Sequence, residues 1–152
     1  MYKSNLIVRV PIQELLENNK ELLNKYFTEG HNLVTAYNIN KEAYYNMERA
    51  NLLDTLVVIK DAKIVGFVVA TTTINPNYGD LQSTIMAIFV DKPGRKYGTA
   101  KDLINRMETV VKAKGSKLLT ISSPLNSHFN TYLSTLGYKH INNFYGKVLW
   151  VI

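Results

Sequence analysis

The hexapeptide Arg95-Lys96-Tyr97-Gly98-Thr99-Ala100 joins a strand-like segment, residues 83–90, to a segment of helical periodicity, residues 99–114. A helix start leaves about four backbone N–H groups without intrahelical partners and carries positive partial charge, so it can hold a phosphate group. Gly98 allows the backbone to approach an anion with no Cβ in the way, Thr99 and Ala100 are small, and Arg95 and Lys96 add positive charge. The chemistry on offer is anchoring of a phosphate-bearing ligand. The glycines and Lys-Ser/Thr of a P-loop are missing, as are the two further glycines of a dinucleotide fingerprint, which disfavours nucleotide hydrolysis. The plainer alternative for Arg95-Lys96 is an exposed basic turn.

The elements that must position this turn follow from periodicity and punctuation. Residues 6–10 predict a short strand. Pro11 then starts a helix that carries Leu15, Leu16, Leu22, Leu23, Tyr26 and Phe27 at helical spacing and stops at Gly30. Asn40 is placed to cap a second helix over 41–50. Residues 53–60 and 63–74 are rich in β-branched side chains around the tight turn Asp61-Ala62, so they predict a hairpin; the turn at 75–80 leads to a third antiparallel strand over 83–90. Helix and strand then alternate: a helix over 99–114, a strand over 118–122, a helix over 127–136, and strands near 138–141 and 147–151. The glycines Gly115 and Gly137 stand where left-handed helix caps are needed. The whole predicts an α/β (α+β) fold with a mixed, mostly antiparallel central sheet of about six to seven strands and about four helices.

Composition bounds the function. A chain of 152 residues suits a single domain over 1–152, and 46% hydrophobic with 20% charged residues is ordinary globular composition. Cysteine is absent, which removes disulfides, thiolate metal sites and a cysteine nucleophile and fits a reducing, cytoplasmic setting. The apolar runs fall short of the roughly 20 residues of a membrane span, and the N-terminal run, interrupted by Arg9, is too short for a signal peptide. His128 and His140 lack metal-ligand spacing, so no metal is expected. Net charge is +6, and residues 91–152 carry ten Lys/Arg against three Asp/Glu. That C-terminal part of the chain favours a polyanion, either a phosphate-rich cofactor or nucleic acid.

Arg95, Gly98 and Ala100 fill the three defined places of Arg/Gln-x-x-Gly-x-Gly/Ala, the acyl-coenzyme A motif of the GCN5-related N-acetyltransferase (GNAT) family. A strand ending in Phe89-Val90 precedes it, Asn126 stands eleven residues before the Gly137-Tyr138 pair, and the order of elements is the family's. The chain therefore resembles that family over about residues 6–150, and residues 45–50 are similar to acetyltransferase-like proteins of bacteriophages. The resemblance implies acetyl-CoA as co-substrate and a primary amine of a small molecule, nucleobase or protein as acceptor. It also implies that the backbone at Phe89 and Val90 pairs with the pantetheine arm and that the N–H groups of Arg95, Lys96, Tyr97, Gly98, Thr99 and Ala100 hold the pyrophosphate. Asn126 would lie beside the arm, and two copies would pair through C-terminal strands.

The resemblance also sets three chemical tasks: a neutral amine, a stabilised oxyanion and a proton for the departing thiolate. A backbone N–H near Phe89 is implied for the oxyanion. Where many members carry a tyrosine as proton donor this chain has Leu133, and Tyr132 beside it is the candidate acid. The strand 83–90 holds no carboxylate, which leaves Glu29 and His31, in the region expected to border the acceptor, as candidates there. Two readings follow: an N-acetyltransferase, or a relative that has lost catalysis and serves as a binding or structural protein. A nucleic-acid-binding role, resting on charge and tyrosines, ranks third.

Overall fold

Pro11, extended at φ −61° and ψ 144°, precedes the first helix, α1 (Ile12–Asn18), which follows strand β1 (Leu6–Arg9). The structure, a computed structural model, describes residues 5–29, 38–95, 98–123 and 127–149. The single helix expected after Pro11 is two: the chain breaks at Asn19 (φ −133°, ψ 43°) and resumes as α2 (Lys20–Glu29). The Asn19 side chain donates to the Glu14 carbonyl at 2.9 Å, the local competition with helical bonding for which asparagine is known. Helix α3 (Lys41–Arg49) begins as its sequence predicts, with the Asn40 side chain accepting the Ala43 N–H at 3.0 Å.

Strands β2 (Leu53–Lys60), β3 (Lys63–Asn75) and β4 (Asp80–Val90) form the expected antiparallel meander; a 3₁₀ turn (Lys92–Gly94), helix α4 (Thr99–Ala113), strand β5 (Leu118–Ile121) and helix α5 (His128–Thr135) follow. The sheet order is β1-β2-β3-β4-β5, with only the β4–β5 pair parallel, as a crossover through a helix requires. The run of buried residues in β2 is explained by helices on both faces. On one face Leu56, Val58, Val68, Ile85 and Val90 pack under α4; on the other Val57, Phe67, Val69 and Phe89 pack under α1 and α2. Buried Asp54 joins β2 to the end of α4 and to β1: it pairs with Lys114 at 2.8 Å and with Arg9.

The mixed, mostly antiparallel α/β architecture is as the sequence predicts, but the counts differ: five strands and five α-helices among the described residues. The strands expected near 138–141 and 147–151 are not formed up to residue 149, and Ile141, Phe144, Tyr145 and Leu149 are exposed. That stretch contains Asn142, Asn143 and Gly146, poor strand formers whose pairing would need tertiary support.

Candidate functional site

The parallel pairing of β4 with β5 runs from Gln82↔Leu118 to Ile85↔Ile121 and stops, while β4 continues to Val90. The pairing ends, with β5 itself, beside an irregularity in β4. Val69 faces Ala87 and Ala70 faces Ile85, so Met86 is an extra residue without a partner in β3, a β-bulge that bends the strand and reverses its alternation. Residues 87–90 thus stay paired to β3 on one edge and have no strand partner on the other among the described residues.

The polarity of that open edge is readable. Asp91 donates its N–H to the Val65 carbonyl of β3 at 2.8 Å, and the N–H and C=O of one trans peptide group point opposite ways, so the Val90 carbonyl faces away from β3. By the same alternation Ile88 turns its N–H and carbonyl outward, and Phe89 turns its own into the ladder opposite Phe67. The resemblance names Phe89 and Val90 for the arm; Val90, with Ile88, presents outward groups, whereas Phe89 does not. The unbroken apolar run 85–90 hides this phase, because nothing in residue type marks Met86 as the bulge.

At the end of the strand the 3₁₀ turn closes with Gly94 N–H on the Asp91 carbonyl at 2.8 Å and Arg95 N–H on the Lys92 carbonyl at 3.3 Å. Gly98 caps α4 in the left-handed region (φ 69°), and a Cβ built there meets nothing within 4 Å among the described residues. The helix thus begins at a backbone conformation that glycine adopts without strain. Thr99, which is buried, ties the turn to the helix by donating its hydroxyl to the Gly94 carbonyl at 2.5 Å. Lys96, Tyr97, Asn126 and His31 lie outside the described residues.

The Arg95 side chain is held in three ways. Its Nε donates to the Val90 carbonyl at 2.8 Å, its Nη2 to Glu29 Oε2 at 2.6 Å, and its guanidinium lies 5.7 Å from the centre of the Phe89 ring. Arg95 and Glu29, assigned to different tasks in the sequence, thus meet. On α5, Leu133 is buried in the cluster under α4, while Tyr132 is half-buried and stacks on Phe129 at 6.2 Å between ring centres. Burial raises the Tyr132 phenol above its ordinary value, with the Lys101 N–H opposing. No group of three or more His, Cys, Asp or Glu side chains placed for a metal ion occurs among the described residues, nor any helix long and apolar enough to cross a membrane.

No protein-family model matches the sequence, and no curated protein does. Solved structures do match in fold. A ribosomal-protein-alanine N-acetyltransferase from Brucella melitensis biovar Abortus 2308 superposes with a TM-score of 0.76 at 16% identity, over 99% of this chain and all of that one. A GNAT family acetyltransferase from Staphylococcus aureus subsp. aureus USA300_TCH1516 gives 0.70 at 18% identity, over 97% and 100%. A transcriptional regulator from Bacillus halodurans C-125 gives 0.72 at 16% identity, over 95% and 99%. Identities this low speak of architecture, and the architecture of this chain is the GNAT fold.

Proposed function

We propose that this protein is an N-acetyltransferase that takes an acetyl group from acetyl-CoA to a primary amine of an acceptor. One observation carries the reading: β4 continues past the end of its pairing with β5 at the Met86 bulge, and the chain runs on from that unpaired edge through a 3₁₀ turn to a helix start capped by Gly98, where a Cβ would meet nothing within 4 Å among the described residues. An extended amide-bearing arm suits such an edge, and a diphosphate suits such a helix start. The residues fit the group. The backbone of Gly98, Thr99 and Ala100 would hold phosphates, Ile88 and Val90 would meet the arm, and Lys96, Tyr97 and Asn126 remain contacts by resemblance. Arg95, already committed to Val90 and Glu29, would shape the turn more than touch phosphate.

When bound, acetyl-CoA supplies an activated acyl thioester. The chain supplies position and charge: outward N–H groups on the open edge would face negative charge developing on the acyl oxygen. Tyr132 is the candidate proton donor, since its raised phenol is protonated at neutral pH and the Lys101 N–H would stabilise the phenolate left behind. His31 stays a candidate at the acceptor. The fold neighbours include the ribosomal-protein-alanine N-acetyltransferase, which by its name acts on an amine.

The test is calorimetric titration with acetyl-CoA of wild type, Gly98→Ala and Gly98→Glu. Alanine adds backbone strain of about 1 kcal/mol; glutamate adds a carboxylate beside the helix start and is expected to abolish binding while the fold persists by circular dichroism. Absence of binding to wild type, or wild-type affinity in Gly98→Glu, refutes the reading.

A second reading, a binding protein without catalysis, is favoured by Leu133, which fills the core where the family resemblance calls for a tyrosine, and by the fold's occurrence in a transcriptional regulator. Thiol release over a panel of amines separates the two: acetyl-CoA binding with no turnover on any amine selects the second.

A further inference from the structure

Helix α2 meets the connection between β4 and α4 at two charged contacts. Lys25 Nζ donates to Asp91 Oδ2 at 2.9 Å, and Arg95 Nη2 donates to Glu29 Oε2 at 2.6 Å. The two rungs are four residues apart on both sides, one helical turn along α2 and the span of the 3₁₀ turn on the other, and their polarity alternates. Sliding the helix by one rung would set Lys25 against Arg95 or Glu29 against Asp91, so the pattern fixes a register by repulsion as well as attraction.

Exposed ion pairs ordinarily contribute little because two long side chains must be immobilised. Here one partner of each rung is already immobile. Asp91 accepts the Lys92 N–H at 2.9 Å and its side chain is only 16% exposed; Arg95 is fixed by the Val90 carbonyl and packs over Phe89. The lower rung persists through neutral pH. The bond to Lys25 holds the Asp91 carboxyl below its ordinary range, and the same bond holds the Lys25 ammonium above its own. Its contribution is therefore lost only as acid protonates Asp91 or as strong base deprotonates Lys25.

We propose that Lys25–Asp91 and Glu29–Arg95 form a clasp through which α2 positions the anion-binding turn, which makes Glu29 a positioning residue for the cofactor. The proposal rests on the acetyl-CoA reading for its functional consequence, not for its geometry. It also links the end of α2, where the chain enters the stretch that its sequence assigns to the acceptor border, to the turn that would hold the phosphates.

Glu29→Gln discriminates, because simple electrostatics and the clasp predict opposite signs. Removing a negative charge near an anion site should tighten acetyl-CoA; releasing the turn should weaken it. By calorimetry the clasp predicts that Kd for acetyl-CoA rises about threefold in Glu29→Gln and in Lys25→Gln, with Lys25→Arg restored to near wild type. Amide hydrogen exchange of the free protein supplies a readout that needs no cofactor: Gly94 and Arg95, whose N–H groups close the 3₁₀ turn, should exchange faster in Glu29→Gln. Unchanged exchange there, or tighter acetyl-CoA binding, overturns the clasp. Should wild type fail to bind acetyl-CoA, the cofactor reading falls, and the exchange data still decide the clasp.

Discussion

Tyr132 and Leu133 are neighbours on α5 with opposite surroundings. One helical step turns a side chain by about 100°, and here that turn separates buried Leu133, packed under α4, from half-buried Tyr132. If Tyr132 gives the proton, Tyr132→Phe should lower kcat by roughly 10- to 100-fold with little change in the KM for acetyl-CoA, as followed by thiol release. A raised KM at constant kcat would make it a packing residue instead. Arg95 teaches a related lesson. Its residue type announces a basic group beside a helix start, yet the guanidinium is spent on Val90, Phe89 and Glu29. Residue identity shows what charge a loop carries; which partner takes that charge depends on α2, more than sixty residues earlier in the chain.

At the scale of elements, local chemistry was legible wherever a local interaction decides the outcome. The cap of α3 at Asn40 and the left-handed caps at Gly115 and Gly137, with φ of 95° and 89°, formed as their residue types predict. So did the β2–β3 turn, where both Asp61 (φ 52°) and Ala62 (φ 63°) lie in the left-handed region. Such a turn favours Asn/Asp-Gly, and alanine is strained there. Ala62→Gly is therefore expected to stabilise the fold by about 0.5–1 kcal/mol, after the entropy that glycine adds to the unfolded chain. Thermal unfolding should show a rise in Tm of roughly 1–4 °C; a fall would mean that the alanine is not strained. The break of the first helix at Asn19 and the bulge at Met86 were harder to foresee. Each depends on one residue's phase against a partner, and periodicity averages such a phase away.

On the scale of the whole molecule, charge and topology act together. The basic surplus of residues 91–152 includes the motif turn and α4, so acetyl-CoA should be drawn to the site by the summed field as well as by amide contacts. Its Kd is expected to rise about fivefold between roughly 0.1 and 1 M salt, as the Debye length shrinks from about 10 to about 3 Å; a flat response in calorimetry would assign binding to the amides alone. From its sequence alone the chain determined the order of helix and strand from β1 to α5, apart from the break between α1 and α2, together with the antiparallel meander, the caps and the position of a glycine at a helix start, because these follow from spacing and backbone preference within a few residues. Tertiary structure alone decided where β4 parts from β5, which peptide groups face outward, what holds Arg95, and that residues 138–149 remain without a strand partner up to Leu149. Those outcomes depend on register between segments distant in sequence, and register is set by packing on both faces of the sheet at once.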